Sequence, residues 1–155
     1  MRKLTLAAVA AASVAGAVVL GFVPAGAEPY VDYTPQKGYW SINAIEVDPN
    51  HIDDYLSGLR RTQIPALEVL KARGVVDDYK FMVRNGYVKG SPNVLIMTHS
   101  PSAATLDPDQ ARDQAIEKEQ FARVSKAEGD RAVAGYEKYR TFIDQGDWGV
   151  ITLNK

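Results

Sequence analysis

One histidine has the position and the chemistry of a general base. His99 ends a run of strand-forming residues that begins at Asn93, and it shares one face of that strand with Leu95 and Met97. Because histidine titrates near neutral pH, an imidazole at that position can accept or release a proton under physiological conditions. The alternative is a structural histidine at a strand end. His51 opens a helix, where the positive helix end disfavours its protonated form, and we interpret it as a surface residue.

A set of aromatic, amide and basic side chains is the candidate ligand-binding site. Aromatic rings offer a large apolar surface with few rotatable bonds, and an arginine supplies the charge that binds an anionic group. Packing in the core explains most of the aromatic residues equally well, so both interpretations stay open. The candidate ligand-binding residues are Trp40, Asn43, Tyr79, Phe81, Arg84 and Trp148.

Composition excludes sulfur chemistry and argues against a metal site. The chain of 155 residues has no cysteine, which excludes disulfides, thiol nucleophiles and cysteine-ligated zinc. The two histidines lie in separate elements without a paired spacing such as H-x-x-x-H. Neighbouring residues in a strand point in different directions, so we interpret the acidic pair Asp77 and Asp78 as surface charge. We therefore expect no metal and no cofactor.

Motifs and charge exclude further classes of function. The sequence contains no G-x-S-x-G, P-loop or dinucleotide-binding fingerprint, which disfavours the common hydrolase, kinase and Rossmann classes. The formal net charge is −1, and the basic residues form no cluster. Nucleic acid is therefore not an expected partner, because its binding depends on neutralising phosphates with basic side chains.

The N-terminal residues 1–27 have the order of a secretory signal peptide. Arg2 and Lys3 precede an apolar run from Leu4 to Val23, and small residues follow at Ala25-Gly26-Ala27. We expect cleavage between Ala27 and Glu28, which predicts a periplasmic or secreted protein without membrane contact after cleavage. The alternative is an uncleaved anchor, because about twenty apolar residues can span a bilayer.

The rest of the chain is predicted to form one domain with a short leader. Residues 28–38 contain two prolines and no periodicity, which is typical of an extended segment. Residues 39–155 then form the domain, whose size is close to the commonest for a single domain.

Helix and strand signals alternate along this domain. Asp48-Pro49 combines an N-cap acceptor with proline at the first helical position, and Gly74 is typical of a helix end. Pro65 predicts a kink within this helix. Asp107 to Gln110 resembles a capping box for the next helix, which we divide at Gly129-Asp130. The predicted strands are 39–47, 75–84, 93–99 and 148–153, and the predicted helices are 49–73, 108–128 and 131–144.

This order is β-α-β-β-α-β with an extra helix inserted before the last helix. It predicts an α+β fold of the ferredoxin-like kind, with a four-stranded antiparallel sheet and helices on one face. The last three predicted strands carry apolar residues on both faces. The face without helices therefore needs a cover, and we expect a homodimer that joins two such faces.

Three stretches of the chain resemble the dimeric α/β-barrel superfamily, in which two ferredoxin-like protomers bring their open sheet faces together. They are the first strand Ser41 to Val47 with the following Asp48-Pro49-Asn50, the long helix with Tyr55-Leu56, and Leu70 to Val76 before the second strand. The resemblance implies a homodimer with a pocket beside the sheet. Members include cofactor-free monooxygenases, small isomerases, haem-related enzymes and proteins without assigned activity.

Haem-degrading members of this superfamily use an asparagine, a tryptophan and a histidine. Asn43 and Trp40 invite the comparison, but the family histidine lies on a helix, where this chain has His51 alone.

Two functions stay open at this point. The first is an exported, non-catalytic dimer that binds a small apolar or aromatic ligand. The second is a cofactor-independent enzyme of the monooxygenase or isomerase type, with His99 as general base. We favour the first, because the sequence shows no partner for this histidine.

Overall fold

The computed structural model describes residues 26–155 of the chain. The predicted signal peptide, residues 1–27, lies outside this range except for its last two residues. Among the described helices, none combines the length and the apolar composition that crossing a bilayer requires.

Six strands and three helices make up the described residues. The strands are β1 (Tyr33–Pro35), β2 (Tyr39–Val47), β3 (Asp78–Val83), β4 (Val94–Ser100), β5 (Arg140–Trp148) and β6 (Ile151–Leu153), and the helices are α1 (Ile52–Ala72), α2 (Gln110–Arg123) and α3 (Lys126–Tyr136). Short 3-10 turns occupy Pro49–His51, Ala103–Leu106 and Glu137–Tyr139.

The main sheet has the ferredoxin-like strand order. Its four strands run β3-β4-β2-β5, and each neighbouring pair is antiparallel. Helix α1 connects β2 to β3, α3 precedes β5, and α2 is the extra helix before the last one. The predicted fold class is therefore confirmed.

The predicted end of the last helix was wrong. Helix α3 ends at Tyr136, and residues 140–148, of which 140–144 were predicted as helix, form β5. Tyr136, Tyr139 and Ile143 fit a helical spacing, but the segment also contains the good strand formers Thr141 and Phe142. Pairing with residues 40–47 of β2 decides between these two tendencies in favour of the strand.

The predicted last strand, 148–153, was also wrong. Trp148 is the end of β5, and Ile151–Leu153 pairs instead with Tyr33–Pro35 in a separate two-stranded sheet. This partner strand β1 lies in the segment predicted as an extended leader, where the side chain of Tyr33 is buried. The two ends of the described chain therefore meet outside the main sheet.

The predicted helix break at Gly129 was wrong as well. Gly129 lies inside α3, and the chain breaks at Val124 and Ser125. The Ser125 hydroxyl accepts from the Glu128 N–H, while the Glu128 carboxylate accepts from the Ser125 N–H, which is a complete capping box. This capping box fixes the start of α3 at Ser125, and Gly129 by itself does not end the helix.

The core lies between one face of the sheet and the helices α1 and α3. Burial of side chains of this size contributes about 1.5–3 kcal/mol each. The buried cluster contains Ile45, Val47, Val94 and Ile96 from the sheet, and Tyr55, Leu59 and Tyr136 from the helices. Helix α2 packs against α1.

Two residues set the geometry of this core. Gly58 lets the Tyr136 ring lie directly against α1, because a Cβ at position 58 would overlap that ring. Asn93, which is 3% exposed, extends the pairing of β4 with β2 to the position just before Val94, the first residue of β4. Its Oδ1 accepts from the Val47 N–H at 2.7 Å, and its Nδ2 donates to the Val47 carbonyl at 2.8 Å. Its own N–H donates to the Ile45 carbonyl at 2.9 Å.

Candidate functional site

A row of four side chains crosses the main sheet on the face away from the core. Residues directly opposite each other in antiparallel strands lie on the same face. Asp78 lies opposite His99, His99 opposite Trp40, and Trp40 opposite Trp148. We name these four residues the His99 row. It brings the candidate base and two of the candidate ligand-binding residues together.

Apolar side chains continue this face beyond the His99 row. The register aligns Lys80, Met97, Ile42 and Gly146 in the next row, and Met82, Leu95, Ala44 and Asp144 in the one after it. We name the three rows the open sheet face. None of its residues is buried, and Met82 and Trp148 are 53% and 56% exposed.

The His99 imidazole is oriented by a carboxylate. Its Nδ1 lies 2.5 Å from Asp77 Oδ1, and the Asp77 N–H donates to the His99 carbonyl at 3.0 Å. A carboxylate at Nδ1 favours the tautomer that carries its proton there, which leaves Nε2 to accept a proton. The His99 side chain is 19% exposed and that of Asp77 is 50% exposed. The pair therefore lies where a small molecule can reach it.

Glycine at position 38 lets the backbone approach the Nε2 side of the His99 ring. A Cβ there would lie 2.6 Å from His99 Nε2 and 2.5 Å from the Ser100 carbonyl oxygen. Gly38 also has φ +82°, a conformation that other residues rarely adopt. Any side chain at this position would therefore displace the imidazole or block Nε2.

Trp40 and Lys80 form the surroundings of the imidazole. The Trp40 ring centroid lies 5.0 Å from that of His99, at an interplanar angle of 49°. The Lys80 ammonium lies 4.6 Å from the Trp40 ring centroid and 3.2 Å from Asp78 Oδ2. The hydrogen bond from Lys80 holds the pKa of the Asp78 carboxyl below its usual value. Charged groups thus border an otherwise apolar surface.

The other candidate ligand-binding residues lie elsewhere. Asn43 and Phe81 both lie opposite Ile96, on the core side of the sheet, and Phe81 packs against the core. Tyr79 is also on that side, where its hydroxyl donates to Glu68 at 2.5 Å, and this bond raises the pKa of Tyr79. Arg84 follows the end of β3 and is exposed. The structure therefore places Trp40 and Trp148, but not these four, in the row that contains His99.

Sequence reasoning missed Asp77, Lys80 and Gly38. Asp77 had been interpreted as surface charge, yet it contacts a residue 22 positions away along the chain. The contact depends on the pairing of β3 with β4, which places Asp78 directly opposite His99. Gly38, directly before β2, was the available signal, because a glycine beside a strand often marks a close approach of the backbone.

The described residues contain no metal centre. Within residues 26–155, no group of three or more histidine, aspartate or glutamate side chains could hold a metal ion. The His99 and Asp77 pair can take part in proton transfer or hydrogen bonding through its own ring nitrogens and carboxylate oxygens.

The chain matches no protein-family model and no curated protein. Among solved structures it is similar to a NipSnap family protein of unknown function from Agrobacterium tumefaciens str. C58, with 9% identity and a TM-score of 0.45 over 79% of this chain and 95% of that one. It is also similar to a dimeric protein of unknown function with a ferredoxin-like fold from Bacteroides fragilis NCTC 9343, with 12% identity and a TM-score of 0.39 over 78% and 100% of the two chains.

Both of these proteins are described as having unknown function, so neither indicates a ligand or an activity. The topology and the site define this chain as a ferredoxin-like α+β protein with a histidine and carboxylate pair on the sheet face away from its core.

Proposed function

We propose that this chain is an exported homodimeric protein that binds a small apolar or aromatic ligand on the open sheet face. The observation that carries the proposal is the His99 row, in which Trp40 lies beside an oriented histidine and Trp148 lies beyond Trp40, next to the apolar side chains of the two following rows. Tryptophan rings supply stacking surface for an aromatic ligand. The imidazole supplies a directional hydrogen bond to a polar group of that ligand.

A second copy is the proposed cover of this face. An exposed apolar surface of this kind on a soluble protein is typical of an interaction site. Two open sheet faces that meet would desolvate Ile42, Leu95 and Met97 and enclose a space between the two His99 rows. The charged groups Lys80, Asp78 and Asp144 lie towards the outer strands of the sheet, where the edge of an interface is polar.

The replacement Met97→Glu tests both parts of this proposal. Lys80 lies directly opposite Met97, so the sheet of the single protomer tolerates a carboxylate there. Burying that charge in an interface costs several kcal/mol, and dimerisation is expected to weaken at least about 100-fold. Light scattering and titration with 1-naphthol, followed by tryptophan fluorescence, should show a monomer that has lost the binding seen in the wild-type dimer.

The matched control for this experiment is Phe121→Glu. Phe121 is 44% exposed on α2, which packs against α1 on the helical side of the sheet, so this variant should dimerise and bind like the wild type. A wild-type protein that is monomeric at micromolar concentration would contradict the proposed dimer. A Met97→Glu variant that binds 1-naphthol unchanged would contradict the proposed ligand site.

Export is proposed from the order of residues 1–27. The intact mass of the exported protein should correspond to a chain that begins at Glu28, because small residues at positions 25 and 27 satisfy the cleavage rule. Replacing Ala27 by tyrosine should block this cleavage. A wild-type mass that includes Met1 would show an uncleaved anchor instead.

The second candidate function is a cofactor-independent enzyme of the monooxygenase or isomerase type. The contact between His99 Nδ1 and the Asp77 carboxylate favours it specifically, because a base oriented by a third group is the usual arrangement for proton abstraction. The two functions share one site and differ in whether His99 removes a proton from the bound molecule.

A further inference from the structure

A groove in the helical layer carries a second concentration of functional groups. It lies between α1 and α3, has a volume of about 720 Å³, and is bordered by Val124 at the end of α2. This volume falls in the range of about 300–1,000 Å³ that is typical of small-molecule sites. Its described lining includes no residue of the open sheet face, so the groove is separate from the site of the proposed function.

Arginines dominate the charge of this groove. Arg61, Arg123 and Arg131 line it, together with the carboxylates of Asp54 and Glu128. Three guanidinium groups therefore face two carboxylates, which leaves the lining with a net positive charge.

Both carboxylates are already engaged by other groups. Asp54 Oδ2 lies 2.9 Å from His51 Nδ1, and Glu128 Oε2 accepts from the Ser125 hydroxyl at 2.6 Å and the Ser125 N–H at 3.1 Å. Both carboxylates thus lie in the first turn of a lining helix, and the pKa of Glu128 is lowered chiefly by the hydrogen bond from Ser125, with a smaller contribution from the charge of Arg131.

The arginines keep most of their donors available. Arg61 donates through Nε to the Ser57 carbonyl at 3.3 Å, which leaves its two terminal nitrogens. The distance from Arg123 Nη2 to Glu119 Oε1 is 3.8 Å, and the second carboxylate oxygen of Glu119, Oε2, accepts from Arg73. Within residues 26–155, neither Arg61 nor Arg131 takes part in an ion pair.

Aromatic and small apolar residues complete the lining. Tyr136 and Tyr139 border the groove beside Ala132 and Gly135. Tyr136 is held in place from α1, because Gly58 admits its ring and Thr62 Oγ1 lies 3.2 Å from its hydroxyl. The groove therefore combines a fixed apolar wall with flexible cationic groups.

We propose that this groove binds a small amphiphilic organic anion. Its carboxylate or phosphate group pairs with the guanidinium groups of Arg61 and Arg131, which are suited to bidentate contacts with such oxygens. Its apolar part lies against Tyr136, Tyr139 and Ala132. The open sheet face takes apolar or aromatic ligands near a histidine, so the two sites select ligands by different chemistry.

Calorimetric titration with 2-naphthoate tests this assignment. A parallel titration with inorganic phosphate measures the affinity for an anion that has no apolar part. The full-length protein should bind 2-naphthoate, and the double replacement of Arg61 and Arg131 by glutamine should weaken binding at least about tenfold, because charge-assisted hydrogen bonds are lost. Arg60→Gln is the matched control. Arg60 is the neighbouring exposed arginine of α1 and does not line the groove, so its loss should leave the affinity unchanged.

The titration is repeated with Met97→Glu, which separates this site from the open sheet face. Arginine-dependent binding that persists in Met97→Glu supports the groove, and binding abolished by Met97→Glu alone overturns it. An equal loss in Arg60→Gln would show non-specific attraction of anions and also overturn the assignment. Inorganic phosphate binding as tightly as 2-naphthoate would overturn the role given to the apolar wall.

Discussion

Replacing Asn93 by leucine is expected to lower the free energy of unfolding by about 2–5 kcal/mol. Leucine has a similar size, so the change removes hydrogen bonds rather than volume. It leaves both the N–H and the carbonyl of Val47, a fully buried residue, without their partners. Each buried polar group left unsatisfied costs about 1–3 kcal/mol. Urea unfolding followed by circular dichroism measures this loss.

The control for this experiment is Asn85→Leu. Asn85 is exposed in the loop after β3, where substitutions usually change stability by less than about 0.5 kcal/mol. Asn93→Asp keeps the acceptor for the Val47 N–H but places an oxygen against the Val47 carbonyl, so it should also destabilise the fold. A loss below about 0.5 kcal/mol for Asn93→Leu would contradict the role given to this side chain.

The Asn93 contacts also matter for the site at the other end of β4. A slip of one residue in strand pairing moves every side chain to the opposite face of the sheet. Asn93 fixes the start of β4 against β2, and the register that follows places His99 opposite Trp40. A buried amide at one end of the strand thus helps to keep the imidazole at the other end on the open sheet face.

Signals confined to neighbouring residues allowed much of this fold to be predicted. The strand 39–47 was predicted with the bounds that the structure has, and the helix predicted over 49–73 corresponds to α1 preceded by a 3-10 turn at Pro49–His51. Local capping chemistry and β-forming composition decide these elements, so no knowledge of distant contacts was needed.

Elements that depend on distant partners could not be predicted in this way. The residues of β5 carry both a helical spacing and strand-forming side chains, and pairing with β2 selects the strand. Ile151–Leu153 joins a strand more than a hundred residues earlier in the chain. In such segments the preference of the sequence is nearly balanced, and tertiary pairing decides the outcome.

The site was predictable in its residue types more than in its geometry. The placement of His99 on the same face as Leu95 and Met97 follows from the alternation of side chains along a strand. The contact with Asp77 requires the register of β3 against β4, which no local pattern specifies. For the same reason the aromatic residues could not be divided between the core and the open sheet face before the strands were paired.

The oriented histidine leads to the expectation that His99→Gln lowers base-promoted turnover about 100-fold or more, if this protein is an enzyme. Glutamine keeps a hydrogen-bonding side chain of similar reach but cannot accept a proton at neutral pH, and general bases contribute at least about that factor. A suitable probe is 5-nitrobenzisoxazole, an aromatic molecule that fits the apolar surface. Removal of its C3 proton breaks the ring N–O bond and releases a coloured cyanophenolate, which absorbance follows.

Two further variants separate catalysis from binding at the same site. Asp77→Asn should reduce the rate by at least about 10-fold but by less than His99→Gln does, since an orienting partner contributes less than the base itself. His51→Gln should leave the rate unchanged, because His51 stacks on Tyr139 at 3.7 Å between ring centroids and lies outside the open sheet face. Equal rates for the wild type and His99→Gln would end the catalytic interpretation. In a binding protein, His99→Gln would instead weaken affinity for 1-naphthol modestly and His99→Ala would weaken it more, because glutamine retains the hydrogen bond that alanine loses.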